Sequence, residues 1–243
     1  MNEESIGTAL KEKRKELIIA TKAGNQWRAD GSGWDWNPSP KYLLECVEKS
    51  LQRLQTDYID LYQLHGGTLE DPIDEIIGTF EKLKVEGKIR HYGISSIRPN
   101  VIREYVNRSS IVSVMTQYSL LDRRPEETTL QLLKESNTGV LVRGALAQGI
   151  LVSKLAKDYL GHDSVAVEKA AAAIKKISFN RTNAQAAIQY VLRHPAVTSA
   201  VVGMRTMEQL REVLQASDAT KLSEQEYSFL QQSIPANFYD AHR

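Results

Sequence analysis

Cysteine is nearly absent from this chain of 243 residues, where Cys46 stands alone. No intramolecular disulfide can form, and the expected setting is a reducing compartment, the cytoplasm. Long apolar runs are missing too. None approaches the ~20 residues that span a bilayer. The opening MNEESIGTALKEKRKE lacks the apolar core of a secretory signal. Charge of one sign is not in excess, because 31 Lys and Arg against 30 Asp and Glu leave +1. Nothing in that balance calls for a nucleic-acid or membrane partner. Metal-site spacings such as HxH, HExxH and CxxC do not occur, and His65, His91, His162, His194 and His242 are scattered. No metal is expected. A GxSxG elbow is also missing, which weakens a serine-hydrolase reading.

What remains is an ordinary globular balance of 42% apolar and 25% charged residues, which excludes coiled coil and collagen-like chains. The length suits one large domain over 1–243. Residues 1–13 read as an amphipathic helix carrying Ile6, Ala9 and Leu10, with Asn2 as its cap. Strands are then predicted at ELIIATK (16–22), IDLYQLH (59–65), HYGIS (91–95), IVSVMTQ (111–117), GVLVR (139–143) and VTSAVV (197–202). Helices are predicted at 40–54, 73–86, from Pro99, 126–135, 165–177, 183–193, 207–215 and 223–233, with Gly87 ending the second. Strand followed by helix, six times over, implies a parallel sheet. With no GxGxxG after the first strand and no GxxxxGK[ST], the open nucleotide-binding sheets lose support. The remaining class is the α/β fold of the (β/α)8 TIM barrel. Closure needs eight strands, so about six of eight βα units are represented, and two are expected to precede Met1.

Barrel chemistry sits at the C-terminal strand ends. Alternation puts Ile18, Ala20 and Lys22 on one face of the first strand, and Ile59, Leu61, Gln63 and His65 on one face of the second. Lys22 and His65 therefore reach the mouth, and the same count brings Ser95, Gln117 and Arg143 to three more strand ends. Tyr62 alternates away from His65, toward the helix layer. Each of these polar residues has a bland role open to it, but their recurrence at one relative position favours a site. A lysine cation lowers the pKa of an acid that shares its site, and a histidine can hydrogen-bond a substrate oxygen or move a proton. The last strand turns through Gly203-Met204-Arg205-Thr206 into a helix, whose N-terminal N–H groups and neighbouring arginine suit a phosphate. The segment 23–39 carries Trp27, Trp34 and Trp36 and is long for a connection. It reads as a substrate-side loop whose tryptophans either wall an apolar pocket or pack the loop down.

These segments resemble the aldo-keto reductase superfamily. The resemblance runs from NEESIGTAL through ELIIATK, YIDLYQLH, KIRHYGISS, TQYSLLDRRPE, LAQGIL and SAVVGMRTMEQLREVL. It implies a (β/α)8 barrel that reduces carbonyl substrates with NADPH, without metal or flavin. By position, Lys22 and His65 match the family's catalytic lysine and histidine. Ser95, Ser96 and Gln117 match positions that hold the nicotinamide amide, and Ser96 replaces a more usual asparagine. Arg143 stands where many members stack an aromatic ring on the nicotinamide. Gly203, Arg205, Thr206, Gln209 and Glu212 match the segment gripping the adenosine phosphate end, and Val213 replaces a common asparagine. The family's catalytic aspartate and tyrosine lie in a DTAxxYG-like segment ahead of the one that NEESIGTAL resembles, and none of the ten tyrosines here takes that place. The chain is thus expected to be N-terminally incomplete. A non-catalytic NADP(H)-binding barrel and a phosphate-binding isomerase or aldolase using Lys22 stay open at this point.

Overall fold

The computed structural model describes residues 2–243 and divides into two compact units, one ending at Val114 and one starting at Met115. In the first unit the order is α1 (Asn2–Leu10), a 3-10 turn (Lys11–Glu16), β1 (Ala20–Ala23), β2 (Asn25–Trp27), β3 (Trp34–Trp36), α2 (Pro40–Leu54), β4 (Ile59–Leu64), α3 (Ile73–Val85), β5 (Ile89–Ser95) and α4 (Pro99–Arg108). β4 pairs in parallel with β1 on one side and β5 on the other. The alternation expected along these strands is present. Tyr62 is fully buried and meets Phe80 of α3 edge to face at 5.9 Å. On β1 and its approach, Ile19 is buried while Ile18 and Ala20 are exposed.

α1 lies on α2 at a point where only glycine fits. A Cβ on Gly7 would sit 2.6 Å from the Arg53 carbonyl oxygen. Glu3 fastens the same contact. It accepts hydrogen bonds from the Thr21 hydroxyl at 2.6 Å and the Arg53 Nε at 2.7 Å. Burial alone would raise the Glu3 carboxyl, but these bonds and the Arg53 charge hold it below its ordinary value.

Three expectations need correction here. Asn2 is already inside α1 rather than capping it, and Met1 lies outside the described residues. β1 does not begin at Glu16, because KEKRKE winds as a 3-10 turn. That run has no apolar side chain to bury in a sheet, and Arg14 within it is tied to the Leu17 and Tyr58 carbonyls and to Asp60. The segment 23–39 is not irregular either. β2 and β3 form an antiparallel hairpin in the register Asn25–Trp36, Gln26–Asp35 and Trp27–Trp34, with Arg28 and Asp35 paired across it.

The second unit takes in β6 (Ser113–Gln117), which straddles the boundary between the units. α5 (Thr129–Glu135), β7 (Gly139–Arg143), α6 (Ser164–Lys176), α7 (Asn183–Leu192), β8 (Val197–Val201), α8 (Met207–Leu214) and α9 (Glu224–Ser233) follow. β7 and β8 are parallel neighbours, with a register shift between Val140 and Leu141. α7 is buried along most of its length, and its Tyr190 packs against Tyr118 and Tyr227. Thr182 and Ser223 close reciprocal capping boxes at the starts of α7 and α9, satisfying N–H groups that each helix leaves open. The six long strands expected from the sequence are all present.

Candidate active site

In the first unit the parallel register sets Lys22 beside Gln63 and Ala23 beside Leu64. The next N–H along, that of His65, donates to the Ala23 carbonyl at 2.7 Å. Lys22 and His65 are therefore brought to the C-terminal ends of adjacent strands. The other strand next to β4 ends at Ser95, and both Ser95 and Ser96 are buried. The Ser96 hydroxyl accepts the Arg98 N–H at 3.2 Å, and the Arg98 guanidinium donates to the Gly67 carbonyl at 2.8 Å. The turn after β5 is thus fixed to the turn after β4.

The hairpin adds a residue that the sequence reading missed. Asn25 Nδ2 lies 3.2 Å from His65 Nδ1, while the Asn25 carbonyl accepts the Tyr42 hydroxyl at 3.0 Å. No periodicity marks Asn25, and its partner is forty residues away. The three tryptophans separate in role. Trp36 is half-buried, and its indole N–H donates to Asp71 at 2.9 Å. Trp27 and Trp34, a facing pair in the hairpin, are 72% and 52% exposed. Trp36 packs the segment down, whereas the other two present apolar surface.

In the second unit Gln117 and Arg143 meet directly. The Arg143 guanidinium donates to Gln117 Oε1 at 2.7 Å, and Gln117 Nε2 donates to Asp122 at 2.9 Å. Asp122 is completely buried and gripped by Arg124 at 2.7 and 2.8 Å. Gln117 thus has a partner at each end of its amide, and Arg143 is held through one guanidinium nitrogen. Asp122 and Arg124 were not singled out from the sequence, although they lie within the segment TQYSLLDRRPE.

A groove of about 560 Å³ lies in the same unit. Gly203, Arg205, Gln209, Glu212 and Val213 form one wall, and Gly144, Leu146, Gln148 and Lys154 belong to the other residues around it. Thr206 does not line the groove. Its hydroxyl caps α8 by accepting the Gln209 N–H at 3.2 Å, while Gln209 Oε1 accepts the Arg205 N–H at 2.8 Å. Arg205 is exposed. Two cations, apolar surface from Val213 and Leu146, and one carboxylate fit an anionic nucleotide in size and chemistry. Lys154 is a second missed residue. The signal for it was its position just after the glycine-bearing LAQGIL turn. Among the described residues no cluster of His, Cys, Asp and Glu could hold a metal ion, and no helix is long and apolar enough to cross a membrane.

The Aldo/keto reductase family matches residues 1–234. An uncharacterized oxidoreductase of Bacillus subtilis is 49% identical over all of this chain and 82% of its own length. The solved holo form of the aldo-keto reductase AKR11C1 from Bacillus halodurans superposes with a TM-score of 0.92 at 46% identity, covering 100% of this chain and 81% of that one. An NADH-specific methylglyoxal reductase of Escherichia coli is 35% identical over 64% of this chain and 51% of its own length. Both Bacillus proteins align with the whole of this chain, which spans about four fifths of their own lengths. The parallel sheet with its alternating helices is the α/β fold of the aldo-keto reductase barrels, and the chain belongs to the Aldo/keto reductase family of NAD(P)H-dependent oxidoreductases.

Proposed function

We propose that this protein reduces aldehydes and ketones to alcohols with NADPH, and that it acts in a reducing, cytoplasmic setting. The observation that carries this reading is the pairing of Lys22 and His65 at the ends of adjacent strands. A cation and a hydrogen-bond donor at one mouth can polarise a carbonyl oxygen and stabilise the negative charge that grows there as the carbonyl carbon is reduced. Bound NADPH supplies the hydride. Gly203, Arg205, Gln209 and Glu212 would hold its adenosine phosphate end, with Thr206 keeping the start of α8 in shape. In the first unit Ser95 and Ser96 are the residues proposed for the nicotinamide amide; in the second, Gln117 has one N–H and one lone pair left for that role, and Arg143 would lie flat against the ring.

The hydride must be matched by a proton on the oxygen, and the Lys22 cation would lower the pKa of the acid that delivers it. The tyrosine that the family resemblance implies for that delivery has no positional match in this chain, so the roles proposed here are those of Lys22 and His65. Trp27 and Trp34 offer an apolar wall on the substrate side, with Trp36 as their anchor. Arg205 favours NADPH over NADH, in contrast with the relative named NADH-specific.

The test is NADPH consumption by the purified chain with a panel of small aldehydes and ketones, compared with NADH. Turnover with NADPH preferred supports the proposal. Tight NADPH binding with no turnover on any carbonyl overturns it in favour of a non-catalytic NADP(H)-binding protein.

A further inference from the structure

The Trp36 indole is enclosed by two glycines, each next to a residue of the site. Gly24 precedes Asn25 and Gly66 follows His65. Both have left-handed backbones, with φ of +131° and +141°. A Cβ would fall 2.4 Å from the indole ring at Gly24 and 3.2 Å from it at Gly66. Asp71 closes the arrangement. It accepts the indole N–H at 2.9 Å and the Thr68 N–H at 2.7 Å, so the anchor is fastened to the loop that follows His65. Tyr42 of α2 holds the Asn25 backbone from another side. The rest of this hairpin is tied mainly to itself, whereas its first residue is fixed against the histidine ring from three directions.

What that placement does depends on the polarity of one hydrogen bond. The Asn25 amide presents its nitrogen, a donor, to His65 Nδ1 across 3.2 Å, which places Nδ1 to accept. An accepting Nδ1 is an unprotonated one, and the neutral ring then carries its proton on Nε2. That tautomer makes Nε2 a donor rather than an acceptor, as a substrate carbonyl oxygen requires. We propose that Asn25 is a positioning residue that sets the Nε2–H tautomer of His65, and that the Trp36–Asp71 anchor holds it in place to do so. The substrate-facing role of His65 comes from the reading under Proposed function, while the tautomer assignment rests on the Asn25 amide turning its nitrogen toward the ring.

The variant Asn25→Asp nearly preserves shape and reverses hydrogen-bond polarity, because a carboxylate only accepts. It should move the proton to Nδ1 or leave the ring an imidazolium. The experiment is two-bond ¹H–¹⁵N correlation spectroscopy on ¹⁵N-histidine-labelled protein at about pH 8, where a model histidine is neutral, with His65→Gln identifying the His65 signals. Wild type should show the Nε2–H pattern. Asn25→Asp should show Nδ1–H or a doubly protonated ring, and Asn25→Ala a mixture of the two neutral forms. In carbonyl reduction Asn25→Asp should lower kcat by roughly 10- to 100-fold, the size of one lost hydrogen bond to a developing charge, with NADPH affinity unchanged.

A wild-type ring protonated on Nδ1 overturns the proposal, and so does an Nε2–H pattern that survives Asn25→Asp. If either variant is poorly folded, the wild-type spectrum alone still decides the tautomer. Absence of carbonyl reduction in the wild type counts against the proposed function and not against the tautomer, so the two failures are told apart.

Discussion

The strand ends that carry Lys22 and His65 and the groove that carries Arg205 are built in different ways. β4 is mostly buried, and the residues around His65 are tied to distant parts of the chain: Asn25 to His65, Trp36 to Asp71, Arg98 to Gly67. Around Arg205 the ties are mostly local, apart from the Gln185 amide on the Glu212 carbonyl. Thr206 caps its own helix, Arg205 bonds to Gln209 four residues on, α8 buries no residue and β8 is mostly exposed. The difference follows from the task proposed for each. Reacting groups lose rate steeply when displaced by about 1 Å. A guanidinium reaching for a phosphate works through charge and a few donors, and it tolerates an exposed, self-contained turn. Changes at the first region should therefore damage rate or stability, and changes at the second should damage affinity.

The largest effect is expected at Lys22. In Lys22→Met the side chain keeps much of its length and loses its cation. NADPH-dependent carbonyl reduction should fall by about 10²–10⁴-fold in kcat, the range typical of acid–base assistance. NADPH affinity, read by fluorescence titration, should hardly change. Undiminished turnover would remove Lys22 from the site and blur the contrast between the regions.

Arg205→Ala sharpens the contrast from the other side. Its NADPH dissociation constant should rise about 10- to 150-fold, the worth of a charge-assisted contact of ~1.5–3 kcal/mol. NADH binding should move little, and kcat at saturating NADPH should stay near wild type. Equal losses for both cofactors would mean that Arg205 does not read the extra phosphate.

Gly24→Ala probes how rigid the first region is. The added methyl meets the Trp36 ring at 2.4 Å on a backbone that L side chains seldom adopt. Strain of this kind costs about 2 kcal/mol, or a drop in Tm of roughly 4–8 °C for a chain of this size. Thermal melts would check it. An unchanged Tm would show that the indole moves aside freely and does not anchor the hairpin.

The sequence carried the repeating frame well, and the reason is local. GVLVR (139–143) is flanked by polar residues and reads as a strand with no help from elsewhere, and its bounds coincide with β7. Pro99 starts α4 because its ring suits a first turn. Alternation sent Tyr62 to the helices and His65 to the strand end because the pleat has period two. What stayed hidden depends on partners far along the chain. β2 and β3 are three residues each, too short to show a period, and Trp36 finds Asp71 thirty-five residues away. Asp122 is the exception: its partners Gln117 and Arg124 lie five and two residues away, but no periodicity marks the pairing. The Thr206 hydroxyl caps the start of α8, a local bond between residues three apart.

The smallest effect tests the fastening of α1. Glu3 joins three elements through Thr21 and Arg53, and Arg53 is 39% exposed, so solvent screens much of the ion pair. The charge is worth no more than about 1 kcal/mol. Because the folded carboxyl is held below its ordinary value, the unfolded chain binds the proton first on acidification. The stabilisation is complete above the ordinary glutamate range near pH ~4.3 and is lost as the pH falls through the lower folded value. Glu3→Gln keeps the shape and can still accept the Thr21 hydroxyl, but it has no charge to lose. Its urea midpoint should lie slightly below wild type at neutral pH, and the two should converge as the pH is lowered through about 4. A gap that stays constant with pH would show that Glu3 holds α1 by packing and neutral hydrogen bonds alone.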